Sequence, residues 1–187
     1  MSTIVALISS PRAEGSSSAI VNAILDGAMG LSTNIIDLYS LDKLRLVHGC
    51  KGCRVCKTTG VCTQDDEIGD ILKAIRKADC VIFSTPVYFS AETAQFKLLE
   101  DRMYSFIGQD GKPNLAPGKK AILVVTCGGP KEAAETTVTR LTNIVTRLGF
   151  ELIDTVVHSD KGGECRAQDD PELMRRANLI GLSLRNT

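Results

Sequence analysis

With 187 residues, 43% of them hydrophobic and 24% charged, the chain has enough material to bury one substantial core without disulfide staples. Its 22 basic and 22 acidic residues cancel, which excludes both the basic footprint of a nucleic-acid binder and the polybasic anchor of a lipid-surface protein. The short apolar run at residues 4–8 lacks a basic leader, and no stretch approaches about 18 apolar residues, so neither a secretory signal nor a membrane span is expected and the location expected is cytoplasmic.

In chain order, residues 3–8 are continuously apolar, as a central parallel strand buried on both faces should be. A polar turn at residues 9–18 leads into a helix marked by Ile20, Ala23, Ile24 and Gly27. Residues 34–38 read as a second strand. Periodicity then vanishes over residues 39–64, a long insertion holding four cysteines, and connections of that length inside compact domains are usually functional or disordered. It returns with Ile68, Ile71, Leu72 and Ile75, a helix face preceded by the acidic residues 65–67. Residues 80–84 form a third buried strand ending at Thr85-Pro86, and a helix is predicted over about 91–106. The fourth strand, residues 121–126, ends in Cys127-Gly128-Gly129-Pro130. A helix carrying Val138, Leu141, Val145 and Leu148, a fifth strand at 152–157, a Gly-rich loop and a last helix with Leu173, Ala177, Ile180 and Leu184 complete the chain. Five strands alternating with five helices predict one α/β domain, a three-layer sandwich around a parallel sheet of order 2-1-3-4-5. Its ligand crevice would lie at the carboxyl ends of strands 1 and 3.

Three loops converge on that crevice. In the first, Ser10, Arg12, Gly15, Ser16, Ser17 and Ser18 offer hydroxyls, a cation and close backbone approach at the start of a helix, where free amides favour an anion. There is no GxGxxG and no Gly-Lys-Ser/Thr ending, which favours a terminal monophosphate over a transferable triphosphate; the bland alternative is a serine-rich helix cap. In the second, Thr85, Pro86, Val87, Tyr88 and Phe89 sit where a planar ring would lie, unless the aromatics merely pack under the next helix. The third, Thr126, Cys127, Gly128 and Gly129, lets backbone approach a flat ligand, or is simply a turn before a proline-started helix. Lys97, Asp101 and Arg102 read as surface pairs worth little.

The spacing Cys50-x2-Cys53-x2-Cys56-x5-Cys62 is the sharpest signal. Clustered cysteines in a reducing compartment bind metal or do redox chemistry more often than they form disulfides. Three thiols at three-residue spacing can wrap one cubic [4Fe–4S] cluster, with the fourth closing it. Gly49, Gly52 and Gly60 would supply turns, while Lys51, Arg54 and Lys57 would offset the cluster's negative charge. Zinc, which prefers two knuckles with a longer spacer, and a disulfide-forming or empty thiol loop remain as alternatives. His48 reads as a loop residue near the cluster and Cys80 as core, while Cys165 receives no role. No G-x-S-x-G or zinc-protease motif is present.

Taken together, Ser9-Ser10-Pro11-Arg12…Gly15-Ser16-Ser17-Ser18, Thr85-Pro86-Val87-Tyr88-Phe89 followed by Lys97 and Asp101-Arg102, and the cysteine strip resemble the NADPH-dependent FMN reductase superfamily, more narrowly its iron–sulfur flavoprotein branch. The similarity runs over roughly residues 3–130, although the family usually carries Gly-Asn-Thr or similar where this chain has Gly15-Ser16-Ser17. The resemblance implies a flavodoxin-like fold, FMN phosphate on Ser10, Arg12 and residues 16–18, isoalloxazine against residues 86–89 and 127–129, and a homodimer or homotetramer. It further implies an oxidoreductase fed by ferredoxin or NAD(P)H that passes electrons through the cluster to FMN and on to a small-molecule acceptor. An NAD(P)H-dependent FMN or quinone reductase without a cluster is a second reading, and a non-enzymatic electron carrier or redox sensor a third. The balanced charge, unlike the acidity of a flavodoxin-type shuttle, favours an enzyme.

Overall fold

The run Thr3–Ile8 forms strand β1, and after it the polar loop opens into helix α1 (Ser16–Met29). In this computed structural model, which describes residues 2–30 and 33–184, the chain continues through β2 (Ile35–Ser40), α2 (Cys56–Thr59), α3 (Glu67–Lys77), β3 (Cys80–Pro86), α4 (Ala94–Arg102), β4 (Lys120–Cys127), α5 (Glu135–Arg147), β5 (Glu151–Ser159) and α6 (Pro171–Ser183). The five strands pair parallel in the order β2-β1-β3-β4-β5, so strand order reverses between β1 and β3 and opens a crevice at their carboxyl ends. The flavodoxin-like architecture predicted from the alternation is the one observed.

Alternation along each strand divides the core in two. Val5 and Leu7 face α3, α4 and α5 with Val81, Phe83, Leu123 and Val125, while Ile4, Ala6 and Ile8 face α1 and α6 with Ile82, Ile122 and Val124. Phe83 anchors the first face, meeting Phe96 and Phe150 edge-on at 6.2 and 5.7 Å between ring centroids. Such pairs contribute about 0.5–1.5 kcal/mol beyond area burial. On the other face α1 and α6 touch backbone to backbone. A Cβ on Gly27 would stand 2.1 Å from the Asn178 carbonyl oxygen, and one on Gly181 would stand 1.9 Å from that of Ile24. Only glycine allows that approach.

Boundaries depart from the sequence reading where side chains intervene. The helix predicted over 91–106 begins at Ala94, because Thr93 caps it by accepting from the Phe96 amide (3.3 Å) and residues 88–91 are spent on a tight turn. It ends at Arg102 and tightens into a 3₁₀ turn, Met103–Phe106. The cysteine loop contains the short helix α2, a sixth helical segment with only one turn and no sustained periodicity to announce it. Asp66, one of the acidic residues before α3, is its N-cap and accepts from the Gly69 amide at 2.9 Å.

Candidate functional site

The loop after β1 stands at the switch point. Gly15 is the N-cap of α1, and no side chain caps the helix, so its first-turn amides keep their donors for something else. The three serines are buried and turned to other partners. Ser16 Oγ accepts from the Ala167 amide (3.2 Å), Ser17 Oγ meets Thr126 Oγ1 (2.7 Å), and Ser18 Oγ donates to the Arg12 carbonyl (3.4 Å). The serine-cap alternative therefore fails. Ser10 Oγ accepts from the Arg12 amide at 3.2 Å and steadies the turn. The Arg12 guanidinium reaches Asp160 at 3.2 Å, a buried carboxylate just past β5. Arg12, Gly15, Ser16, Asp160, Gly163 and Arg166, with Glu14, line a cavity of about 240 Å³. A Cβ on Gly15 would press to 3.2 Å of the Arg12 carbonyl oxygen. An uncapped helix end, two arginines and bare backbone suit a phosphate.

Hydrogen bonds tie the second and third loops to the first. The Val87 amide donates to the Thr126 carbonyl (2.7 Å), Thr93 Oγ1 donates to the Ser9 carbonyl (3.3 Å), and the Ser9 amide donates to the Ser84 carbonyl (3.1 Å). Thr85 is committed internally: its Oγ1 accepts from the Thr93 amide and donates to the Pro86 carbonyl. Tyr88 and Ala91 exchange backbone hydrogen bonds around Phe89 and Ser90, whose φ values of 49° and 62° make a left-handed turn without glycine. For bulky Phe89 that conformation is strained. Phe89 is fully exposed and Tyr88 half-exposed, so neither packs under the next helix. In the third loop Gly128 faces the Asp160 carboxylate: a Cβ there would lie 3.7 Å from Oδ1. Gly129 accepts from Ser159 Oγ. Burial pushes the Cys127 thiol up, with the Ser159 hydrogen bond opposing, and its Sγ turns to the Gly129 and Pro130 carbonyls.

The four cysteines of the strip line a separate cavity of about 400 Å³, which shares no residue with the Arg12 cavity. Gly52 and Gly60 supply left-handed turns, as does Arg54. Cys50 Sγ accepts from the Gly52 amide at 3.4 Å. A backbone hydrogen bond at Val55, then the Thr63 hydroxyl, pull the Cys53 thiol below its usual range, whereas burial pushes Cys56 up. Among the described residues, no three His, Cys, Asp or Glu side chains are already grouped to hold a metal ion.

Two charges differ from expectation. Lys57 does not serve the thiols: its Nζ sits 3.1 Å over the Tyr104 ring and donates to the Tyr104 (2.8 Å) and Ile107 (2.7 Å) carbonyls. Its place falls to Arg102, which is not a surface residue at all. Its side chain is 0% exposed, paired with Asp66 at 2.6 Å, and lines the thiol cavity. Lys97 and Asp101 form the surface pair predicted for them. Sequence reasoning also missed Asp160 and Arg166, because nothing in a Gly-rich loop about 150 residues away along the chain signals that it folds back onto Arg12 and Glu14. Ser84 sits within the apolar run of β3 and Ser9 just past the end of β1; their hydroxyls are buried without a hydrogen-bond partner.

A family profile described as NADPH-dependent FMN reductase matches residues 2–164. Among curated proteins, the chain is similar to an iron–sulfur flavoprotein of Methanocaldococcus jannaschii, 35% identical over 101 residues covering 53% of this chain and 50% of that one. Iron–sulfur flavoproteins of Archaeoglobus fulgidus (28% identical; 70% of this chain, 58% of that one) and Methanosarcina thermophila (28%; 71% and 66%) match over longer stretches. The chain thus spans between half and two thirds of the length of these relatives. Among solved structures, an FMN-dependent NADH-azoreductase of Bacillus anthracis in complex with FMN superposes with a TM-score of 0.72 at 15% identity, covering 100% of both chains. An NAD(P)H:quinone oxidoreductase of Methanothermobacter marburgensis gives 0.70 at 15%, covering 100% and 97%. At such identity these two likenesses carry the fold.

Proposed function

The chain belongs to the NADPH-dependent FMN reductase family, alongside the iron–sulfur flavoproteins within it, and from that premise we propose that it is an FMN-dependent oxidoreductase. In this reading Cys50, Cys53, Cys56 and Cys62 would hold a [4Fe–4S] cluster, which together with FMN would supply electron exchange between ferredoxin or another reduced donor and a small acceptor. The observation that carries it is that all four cysteines of the strip line one cavity, whose wall also holds a buried guanidinium. A Cys₄ set with an added buried cation suits a polynuclear, negatively charged group.

The chain's own residues would divide the flavin as follows. The first-turn amides of α1, Ser10 and Arg12 hold the phosphate, with Arg166 as a second cation at the same cavity. Residues 85–89 and 126–129 would hold the ring, the third loop through its backbone and Tyr88 and Phe89 by shielding it from water. The neutral Cys127 thiol keeps a charge away from it. When bound, FMN supplies hydride and single-electron exchange and the cluster single-electron exchange; the protein sets position and potential.

Anaerobic purification followed by a visible spectrum with iron, sulfide and flavin determination tests this. Flavin bands over a broad absorption near about 400 nm, with about four iron atoms per chain, are expected. Flavin without iron, bleached rapidly by NADPH, would instead establish a cluster-free NAD(P)H-dependent reductase. A colourless chain indifferent to FMN would refute both.

A further inference from the structure

We propose that Arg102 is a positioning residue for the thiol cavity, clamping both stems of the cysteine loop and placing a buried cation beside whatever the thiolates hold. This rests on the cluster reading above. The geometry is specific. Nη1 donates to both Asp66 carboxylate oxygens (2.7 and 2.6 Å) and to the His48 carbonyl (3.4 Å), and Nη2 donates to the Gln64 carbonyl at 3.1 Å. His48 and Gln64 lie two residues before Cys50 and two after Cys62. One guanidinium therefore closes the loop at its base, and a planar fork does this where an ammonium on the same stem could not reach both carbonyls.

The same side chain is poorly explained as a staple alone. Burying a full charge is costly even when paired, and Nε is buried with no hydrogen-bond partner. An unmade buried donor is a standing cost. The Asp66 carboxylate 2.6 Å away balances the buried guanidinium, which keeps its charge at any ordinary pH. The charged guanidinium stands on the wall of the cavity that all four thiols line. A cation there stabilises the more negative, reduced state of a thiolate-held cluster, while Asp66 damps that effect.

That arrangement predicts shifts of opposite sign from the two partners. In full-length protein with its cluster reconstituted anaerobically, R102Q should lower the cluster's reduction potential. D66N, which keeps an Asn cap on α3 but leaves Arg102 without its counter-charge, should raise it. R102K should hold the potential near wild type. A second readout needs no cluster: trypsin should cut after Arg54 in the metal-free chain about tenfold faster or more in R102Q and R102K, because the clamp is gone. If wild type binds a cluster and R102Q and D66N shift its potential in the same direction or not at all, the electrostatic half is refuted. If wild type takes up no iron, the functional reading fails instead, and the proteolysis still decides the clamp. Cleavage of R102Q at the wild-type rate would refute that half too.

Discussion

Replacing Arg12 by Gln should separate recognition of a phosphate from recognition of a flavin ring. Arg12 is mostly exposed, but its partner is not: the Asp160 side chain is 8% exposed and stands 3.2 Å away, on the wall of the same small cavity. R12Q therefore removes one charge-assisted hydrogen bond to the phosphate, about 1.5–3 kcal/mol, and also leaves a shielded carboxylate facing an incoming anion. At an effective dielectric near 20 that repulsion adds about 1–2 kcal/mol. Together they raise the FMN Kd by roughly 10²–10³-fold or more. The double variant R12Q/D160N should recover the repulsive part, and D160N alone, which frees Arg12, should bind FMN at least as tightly as wild type. The assay is quenching of flavin fluorescence on titration of apoprotein, run in parallel with FMN and with riboflavin, which lacks the phosphate. Equal losses for FMN and riboflavin in R12Q, or no loss for FMN, would refute a phosphate at the α1 N-terminus.

Three further outcomes are expected. Phe89→Asn places a residue that tolerates left-handed backbone in the strained turn, so the apoprotein should gain about 0.5–1 kcal/mol while FMN binding weakens; urea unfolding and flavin titration read the two, and a loss of stability would show that the turn is not strained. Gly181→Ala forces a Cβ to 1.9 Å of the Ile24 carbonyl oxygen, which should cost about 2–4 kcal/mol and lower Tm by about 4–16 °C; an unchanged Tm would mean that α1 and α6 are free to part. Burial pushes the Cys80 thiol up to about 12, so above the ordinary thiol range the unfolded chain releases that proton while the fold keeps it. Stability should fall by about 1.4 kcal/mol per pH unit from about pH 9 towards 12; this share is absent in Cys80→Ala, and parallel pH profiles of urea unfolding for the two chains would refute it.

The sheet was legible because its evidence is local and redundant. Each of the three central strands is an unbroken apolar run, and each helix between them repeats its apolar residues at helical spacing. With five such alternations the parallel order follows from handedness and short connections. The errors fell where one side chain decides a boundary: Thr93 delays α4 by capping it, and the left-handed turn at Phe89 and Ser90 has no glycine to advertise it. The close contact of α1 with α6 was legible only in part. Gly27 lies on the apolar stripe of its helix, but the pairing with Gly181 depends on a partner about 150 residues distant.

The candidate site divides along the same line. Loops that follow strands declare themselves by position, and four clustered cysteines declare themselves by spacing. Charges that act through the fold do not. Arg102 follows Asp101 and sits four residues beyond Leu98, a pattern that reads equally well as a solvated helix end. Only the folded chain shows Asp66, His48 and Gln64 arriving around it from another part of the sequence. Lys57 is the mirror case: neighbouring Cys56 argues for a role at the thiols, yet Tyr104 and two carbonyls claim it. For a long, flexible cation, nearness in sequence sets only the starting point, and the buried acceptors within its reach decide where the charge settles. The charge of the thiol cavity is therefore set by α4 and the start of α3 as well as by Lys51 and Arg54, the interleaved cations that do line it, which is why Arg102 and Asp66, rather than Lys57, join them as positions at which the cavity's charge can be changed.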